Sequence, residues 1–76
     1  MTAIEIQAVW DIEAQVWIAT SDLPIGLCVE EQTYEDLLAT IKELLPELLR
    51  LNGFISAEHE IPFHITASQN AVLKVA

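Results

Sequence analysis

The chain has 76 residues, of which 53% are hydrophobic and 20% are charged, and its 12 acids against 3 bases give a formal net charge of -9. The apolar content excludes a disordered chain, and the acidic balance argues against direct binding to nucleic acid, which requires a basic patch facing the phosphates. A single cysteine excludes an intramolecular disulfide, so a reducing cytoplasm suits the chain best.

Length and segment composition predict one soluble domain. Seventy-six residues are close to the lower size at which one core suffices without metals or disulfides, so we expect a homo-oligomer, a dimer or larger. The opening residues, MTAIEIQAVW, do not resemble an export signal, and no stretch approaches the roughly 18 apolar residues that span a membrane. We therefore expect a single cytoplasmic domain over 1–76, with its core in about 3–66, a short apolar tail in 67–76 and no membrane contact.

A hairpin of two strands is predicted at the start of the chain. Residues 4–10 alternate between apolar and mostly polar side chains, and 15–20 are rich in β-branched and aromatic residues. If 11–13 form the connection, Trp10 lies opposite Ala14, and Trp17 falls on the sheet face that a single helix cannot cover. That register collects aliphatic side chains on the other face, namely Ile4, Ile6, Ala8, Val16 and Ile18. Trp17 is thus the leading candidate for a partner contact, the alternative being a tryptophan that lies flat across its own sheet.

A loop and a third strand follow the hairpin. Residues 21–26, Ser-Asp-Leu-Pro-Ile-Gly, have the composition of a surface loop, and 27–31 resume an alternating pattern. Cys28 lies in this strand and has no base near it in the sequence. We interpret it as a small sheet residue rather than a nucleophile.

The stretch from Gln32 to Gly53 predicts an amphipathic helix. Thr33 is a suitable N-cap, Asp36 three positions later fits a shortened capping box, and Asn52 with the following glycine tolerates a left-handed end. Apolar residues recur between these ends at three- and four-residue spacing, which predicts one buried face. This face comprises Leu37, Leu38, Ile41, Leu44, Leu45, Leu48 and Leu49. Because the spacing continues in phase across Pro46, we predict one helix kinked there, with two separate helices as the alternative.

A fourth strand is predicted at 61–66, where Pro62 places it at its beginning or near a sheet edge. His59 and His64 match neither a helical metal pair nor a catalytic triad, so we expect surface residues and no metal, cofactor or catalytic site. The apolar segment from Ala71 to Val75 fits either a further strand or a segment used in self-association, and the sequence does not decide between them.

The predicted order is β-β-β-α-β, a two-layer α+β domain whose helix packs on one face of a mostly antiparallel sheet. Several blocks resemble a known family: Trp10-Asp11, residues 16–22, Thr33 at the helix cap and residues 46–53. They resemble the short HicB-like family, which is similar to the amino-terminal domain of HicB antitoxins. The resemblance covers about residues 3–66. The order Pro24-Ile25-Gly26 departs from the family, which commonly places proline and glycine together.

The resemblance implies a fold similar to half of ribonuclease H, without its catalytic acids. It also implies a role, since in HicB antitoxins this domain binds a small basic HicA toxin that cleaves messenger RNA and blocks its active site. HicB antitoxins usually carry a DNA-binding module after this domain, and we expect none within these 76 residues.

Three functions are compatible with these features. The first is an antitoxin-type protein-binding module that neutralises a HicA-type toxin through an apolar centre and an acidic rim. Its predicted contact residues are Trp17, Asp11, Glu13, Asp22, Glu30 and Glu31. The second is a self-associating structural domain without a toxin partner. The third is a degenerate RNA-processing enzyme, but we can place no converging carboxylates for metal-dependent chemistry and therefore expect no enzyme activity.

Overall fold

The computed structural model describes residues 3–54 and 60–75. Within these residues the chain is α+β, with a four-stranded mixed sheet and one helix. The elements are β1 (Ile4–Asp11), β2 (Val16–Ser21), β3 (Cys28–Glu31), α1 (Tyr34–Leu51) and β4 (Phe63–Ser68). The predicted α+β class and order of elements are confirmed.

The sheet has the strand order β3-β2-β1-β4. β2 is antiparallel to both β1 and β3, whereas β4 lies parallel to β1. A parallel neighbour requires a crossover, and α1 provides it on its way from β3 to β4. The two edge strands of this sheet are therefore β3 and β4.

The β1–β2 hairpin has a different register from the predicted one. Trp10 lies opposite Trp17 rather than opposite Ala14, and Asp11 lies opposite Val16. The predicted register is therefore wrong by three positions. Since successive side chains of a strand point to opposite faces, an odd shift turns all of β2 over. The predicted position of Trp17 on the open face is wrong for this reason: Trp17 lies on the face that α1 covers, whereas Val16 lies on the open face.

The loop between β1 and β2 explains this register. It consists of residues 12–15, one residue longer than the predicted connection. The Asp11 carboxylate accepts hydrogen bonds from the backbone N–H groups of Glu13 (3.0 Å) and Ala14 (3.2 Å). Gln15 adopts a φ of 60°, and its N–H donates to the Asp11 carbonyl at 2.8 Å. Glutamine thus occupies the left-handed position of this loop, where glycine or asparagine is usual, so the sequence did not mark the position.

The helix begins and ends where its capping residues predict. The Thr33 hydroxyl accepts a hydrogen bond from the Asp36 N–H at 3.1 Å, and Asn52 caps the other end. α1 continues through Pro46, so the prediction of one helix is confirmed. The buried positions of the predicted stripe are Leu37, Ile41, Leu45 and Leu49. Leu44 lies at the margin of that face and is 37% exposed.

The core lies between α1 and one face of the sheet. From β1 it contains Ile4, Ile6 and Ala8, each 5% exposed or less. The opposite face of the sheet is open to solvent, and Val9 at its centre is 51% exposed. This open face carries alternate residues of the strands, namely Glu5, Gln7, Val9, Ile18, Thr20, Cys28, Glu30, His64 and Thr66. Across residues 3–54 and 60–75, no helix combines the length and apolar character that crossing a membrane demands.

Candidate protein-binding surface

Three aromatic rings form a row at the end of the sheet where β1 ends and β2 begins. The centroids of Trp10 and Trp17 are 5.6 Å apart with an interplanar angle of 62°, and those of Trp17 and Tyr34 are 5.8 Å apart with an angle of 75°. Such edge-to-face geometry is one of the favoured arrangements of aromatic pairs. Both tryptophans are half-buried and Tyr34 is 36% exposed. This aromatic row (Trp10, Trp17, Tyr34) is therefore an apolar strip that remains partly accessible.

The topology gathers acidic side chains at the same end of the domain. β1 and β3 both end here, the β1–β2 loop lies between their ends, and α1 begins shortly after β3. We call this the acidic end; it comprises Asp11, Glu13, Glu30, Glu31, Glu35 and Asp36. These are half of the 12 acids in the chain, whereas Arg50 lies in the last turn of α1, at its other end. Negative charge is thus concentrated at the end of the domain that carries the aromatic row.

Two of these acids also stabilise the local structure. Asp11 holds the β1–β2 loop through its two backbone hydrogen bonds. Glu31 lies opposite Trp17 on β3 and accepts a hydrogen bond of 2.9 Å from the Thr40 hydroxyl of α1. Glu13 and Glu30 are exposed. Glu35 and Asp36 are exposed as well, so a partner can reach four acids of this end directly.

Asp22, the remaining predicted contact residue, lies at the opposite end of the sheet. Its N–H donates to the Glu5 carbonyl at 3.0 Å, and its carboxylate accepts from the Glu5 N–H at 3.2 Å. Asp22 thus fastens the end of β2 to the start of β1. The structure brings together five of the six predicted contact residues and separates Asp22 from them.

Sequence reasoning missed Trp10 and Tyr34 as parts of this surface. The alternating pattern marks Trp10 only as a strand residue, and Tyr34 follows the helix cap without any distinguishing pattern. The signal that links them is the hairpin register, since Trp10 meets Trp17 only when residues 12–15 form the loop. Their part in binding stays a prediction, as does that of the acids.

The open face carries polar groups of a different kind. His64 Nδ1 lies 2.9 Å from Glu5 Oε2, and the two side chains are 64% and 51% exposed. His64 is therefore a surface residue, as predicted, while His59 lies outside the described residues. In the part of the chain that the structure describes, no three His, Cys, Asp or Glu side chains are grouped as metal ligands. Cys28 is exposed on this face.

Comparison with known proteins identifies the family. The model of a domain of unknown function, DUF1902, matches residues 3–76. The chain belongs to the DUF1902 family. The DUF1902 fold seen here is also similar to the crystal structure of hypothetical protein TTHA1013 from the extremely thermophilic bacterium Thermus thermophilus. The two share 40% sequence identity with a TM-score of 0.76, over 95% of this chain and 100% of that chain. No curated protein matches the chain.

Proposed function

We propose that this chain is a HicB-like antitoxin-type module that binds and neutralises a small basic HicA-type toxin in the cytoplasm. The observation that carries the proposal is the aromatic row at the acidic end of the domain. The resemblance of residues 16–22 and 46–53 to HicB-like proteins supports it, as does the formal net charge of -9. The proposal includes a fold like the HicB amino-terminal domain, similar to half of ribonuclease H.

The chemistry of this surface suits a basic protein. Protein interfaces typically combine aromatic anchors at the centre with a polar rim, and complementary charge speeds the encounter of the partners. Here Trp17 and Tyr34 supply the apolar centre, and the exposed carboxylates of the acidic end, which lie on both faces of the sheet, supply the rim. Because rim charges are screened by salt, the complex weakens as ionic strength rises.

The same charge explains how a non-catalytic module blocks an RNA-cleaving enzyme. A ribonuclease binds its substrate through basic side chains that face the phosphates. The acidic end presents carboxylates to those side chains and so competes with RNA for the same surface. Binding of the module and binding of RNA are therefore mutually exclusive in this proposal, and no reaction by the module is required.

The test is an RNA-cleavage assay with a purified HicA-type toxin, titrated with this protein. The variant Glu13→Lys with Glu30→Lys reverses two exposed charges of the acidic end. The matched control, Glu43→Lys with Glu47→Lys, changes net charge equally at positions about 14 and 20 Å along the helix axis from its first residue. We expect the concentration for half-inhibition to rise at least about tenfold for the first pair and less than about threefold for the control.

Two results would contradict the proposal. Inhibition that falls equally for both pairs would mean that net charge alone attracts the toxin, and an absence of inhibition by the unmodified chain would remove the antitoxin role. A reaction containing the chain, RNA and Mg²⁺ without toxin is included, because cleavage there would favour the degenerate RNA-processing alternative. Circular dichroism of each variant establishes that it is folded.

A further inference from the structure

The outer side of β4 presents backbone groups that can pair with another strand. The Ile4 N–H donates to the Pro62 carbonyl at 3.1 Å, and Ile4 lies opposite Phe63 in the parallel register. In a parallel pair, alternate residues of one strand direct both backbone groups toward the other. Residues 64, 66 and 68 therefore bond to β1, whereas Phe63, Ile65 and Ala67 direct their N–H and C=O groups outward. An edge of this kind is a template for a further strand.

The segment that follows β4 is apolar and uncovered. Residues 69–75 belong to no helix or strand, and Val72, Leu73 and Val75 are 83–86% exposed. The molecule measures 57 × 20 × 20 Å, whereas its longest element, α1, is about 27 Å long. The long axis thus agrees with a tail that projects from the sheet. Three exposed aliphatic side chains in so short a projecting segment indicate a surface that binds a partner.

We propose that a second copy of this chain covers the tail, with the two β4 strands and tails paired antiparallel about a twofold axis at Gln69. The tail of each copy then lies along the outer edge of its partner's β4. The six residues 70–75 match the six residues of β4 in length. The opposite pairs on the helix-covered side of the sheet are Phe63 with Val75, Ile65 with Leu73, and Ala67 with Ala71.

The side-chain pattern of the tail supports this register. Phe63 and Ile65 lie on the same side of the sheet as the core and pack against it while half-buried. If β4 continues without interruption, Leu73 and Val75 point to that same side, because both have odd numbers. The apolar side chains of the tail thus meet the incompletely buried apolar side chains of the partner's β4.

A local charge contact also favours this register. Lys74 is the single charged residue of residues 69–75, within a chain of formal net charge -9. In the proposed register Lys74 lies opposite His64 on the open face, and His64 lies opposite Glu5 of β1. The lysine of one copy therefore approaches the carboxylate of the other. The inference rests on β4 and the tail alone and does not depend on toxin binding.

Disulfide cross-linking tests the register directly. In a Cys28→Ser background, Gln69→Cys places two thiols across the twofold axis in a hydrogen-bonded pair, with Cα atoms about 5.5 Å apart, within the range of a disulfide. Asn70→Cys is the matched control, because its two copies are offset along the strands to more than about 7 Å. Under mild oxidation we expect a cross-linked dimer with residue 69 and at least tenfold slower cross-linking with residue 70.

Sedimentation equilibrium measures the dimer itself. Ala67→Pro removes an outward N–H without removing a bond to β1, so the protein remains folded but becomes monomeric. Leu73→Ser weakens the dimer on the order of 100-fold, because two leucines lose their burial, whereas Val72→Ser on the other side of the tail has less than about a tenfold effect. Three results would each overturn the proposal. The unmodified chain could be monomeric, the two tail variants could weaken the dimer equally, or Ala67→Pro could leave the dimer unchanged.

Discussion

Replacing Trp17 with alanine is predicted to reduce stability substantially. Truncating a fully buried tryptophan costs about 3–5 kcal/mol, so half burial gives roughly 2 kcal/mol. The two edge-to-face contacts with Trp10 and Tyr34 add about 1 kcal/mol together if each contributes the lower value for such pairs, about 0.5 kcal/mol. The total of roughly 3 kcal/mol is a large share of the approximately 4–11 kcal/mol expected for 76 residues. Trp17→Ala is therefore unsuitable for measuring binding alone.

Urea denaturation followed by far-ultraviolet circular dichroism measures this loss at a fixed protein concentration. With a slope of about 1 kcal/mol per molar urea, the midpoint falls by roughly 3 M. Trp17→Phe keeps a ring in the row and is expected to lose about half as much. A double-mutant cycle with Tyr34→Ala isolates the contact between the two rings, with an expected coupling of about 0.5–1.5 kcal/mol. A loss below about 1 kcal/mol for Trp17→Ala would contradict its placement between the sheet and α1.

Three further predictions concern stability, each measured by the same denaturation assay. Thr33→Ala removes the hydroxyl that accepts the Asp36 N–H and is expected to cost about 1 kcal/mol, whereas Thr33→Ser retains most of the cap. Gly26→Ala is expected to cost about 1–2 kcal/mol, because Gly26 has a φ of 79° and nothing within 4 Å of an added Cβ relieves or worsens that strain. Glu5→Gln is expected to change stability by less than about 0.5 kcal/mol, since the contact with His64 is largely exposed. A loss above about 1 kcal/mol would show that this contact stabilises the fold more than exposed ion pairs usually do.

The parts of the fold that depend on local sequence were predictable. The Thr33 cap, the three- and four-residue spacing and the Asn52 end define α1 within one or two residues. Alternation likewise locates the strands. Local patterns do not state, however, which strands are neighbours, and the parallel pairing of β4 with β1 is a consequence of how the crossover packs.

The predicted register of the hairpin was wrong for a specific physical reason. Short hairpin connections usually have glycine or asparagine at the left-handed position. The connection here contains neither, so the sequence did not indicate a left-handed residue. Here Gln15 takes that conformation, with the Asp11 carboxylate holding the loop. Because the loop has one residue more than predicted, Trp17 lies on the other face of the sheet, and the candidate site differs from the predicted one. The acidic contact residues could be proposed from the composition, but the aromatic row could be recognised only with the correct hairpin register.

The two proposed surfaces influence each other through charge. β4 runs parallel to β1, so the tail leaves the sheet at the acidic end, and a twofold axis at Gln69 brings two acidic ends toward each other. This repulsion between six carboxylates on each copy outweighs the single contact of Lys74 with Glu5 that each copy gains, so it opposes dimerisation at low ionic strength, and added salt screens it. Salt therefore strengthens the dimer but weakens the complex with a basic protein. A basic partner bound to either acidic end relieves the same repulsion, so toxin binding and dimerisation favour each other, and linkage requires each to strengthen the other by the same factor.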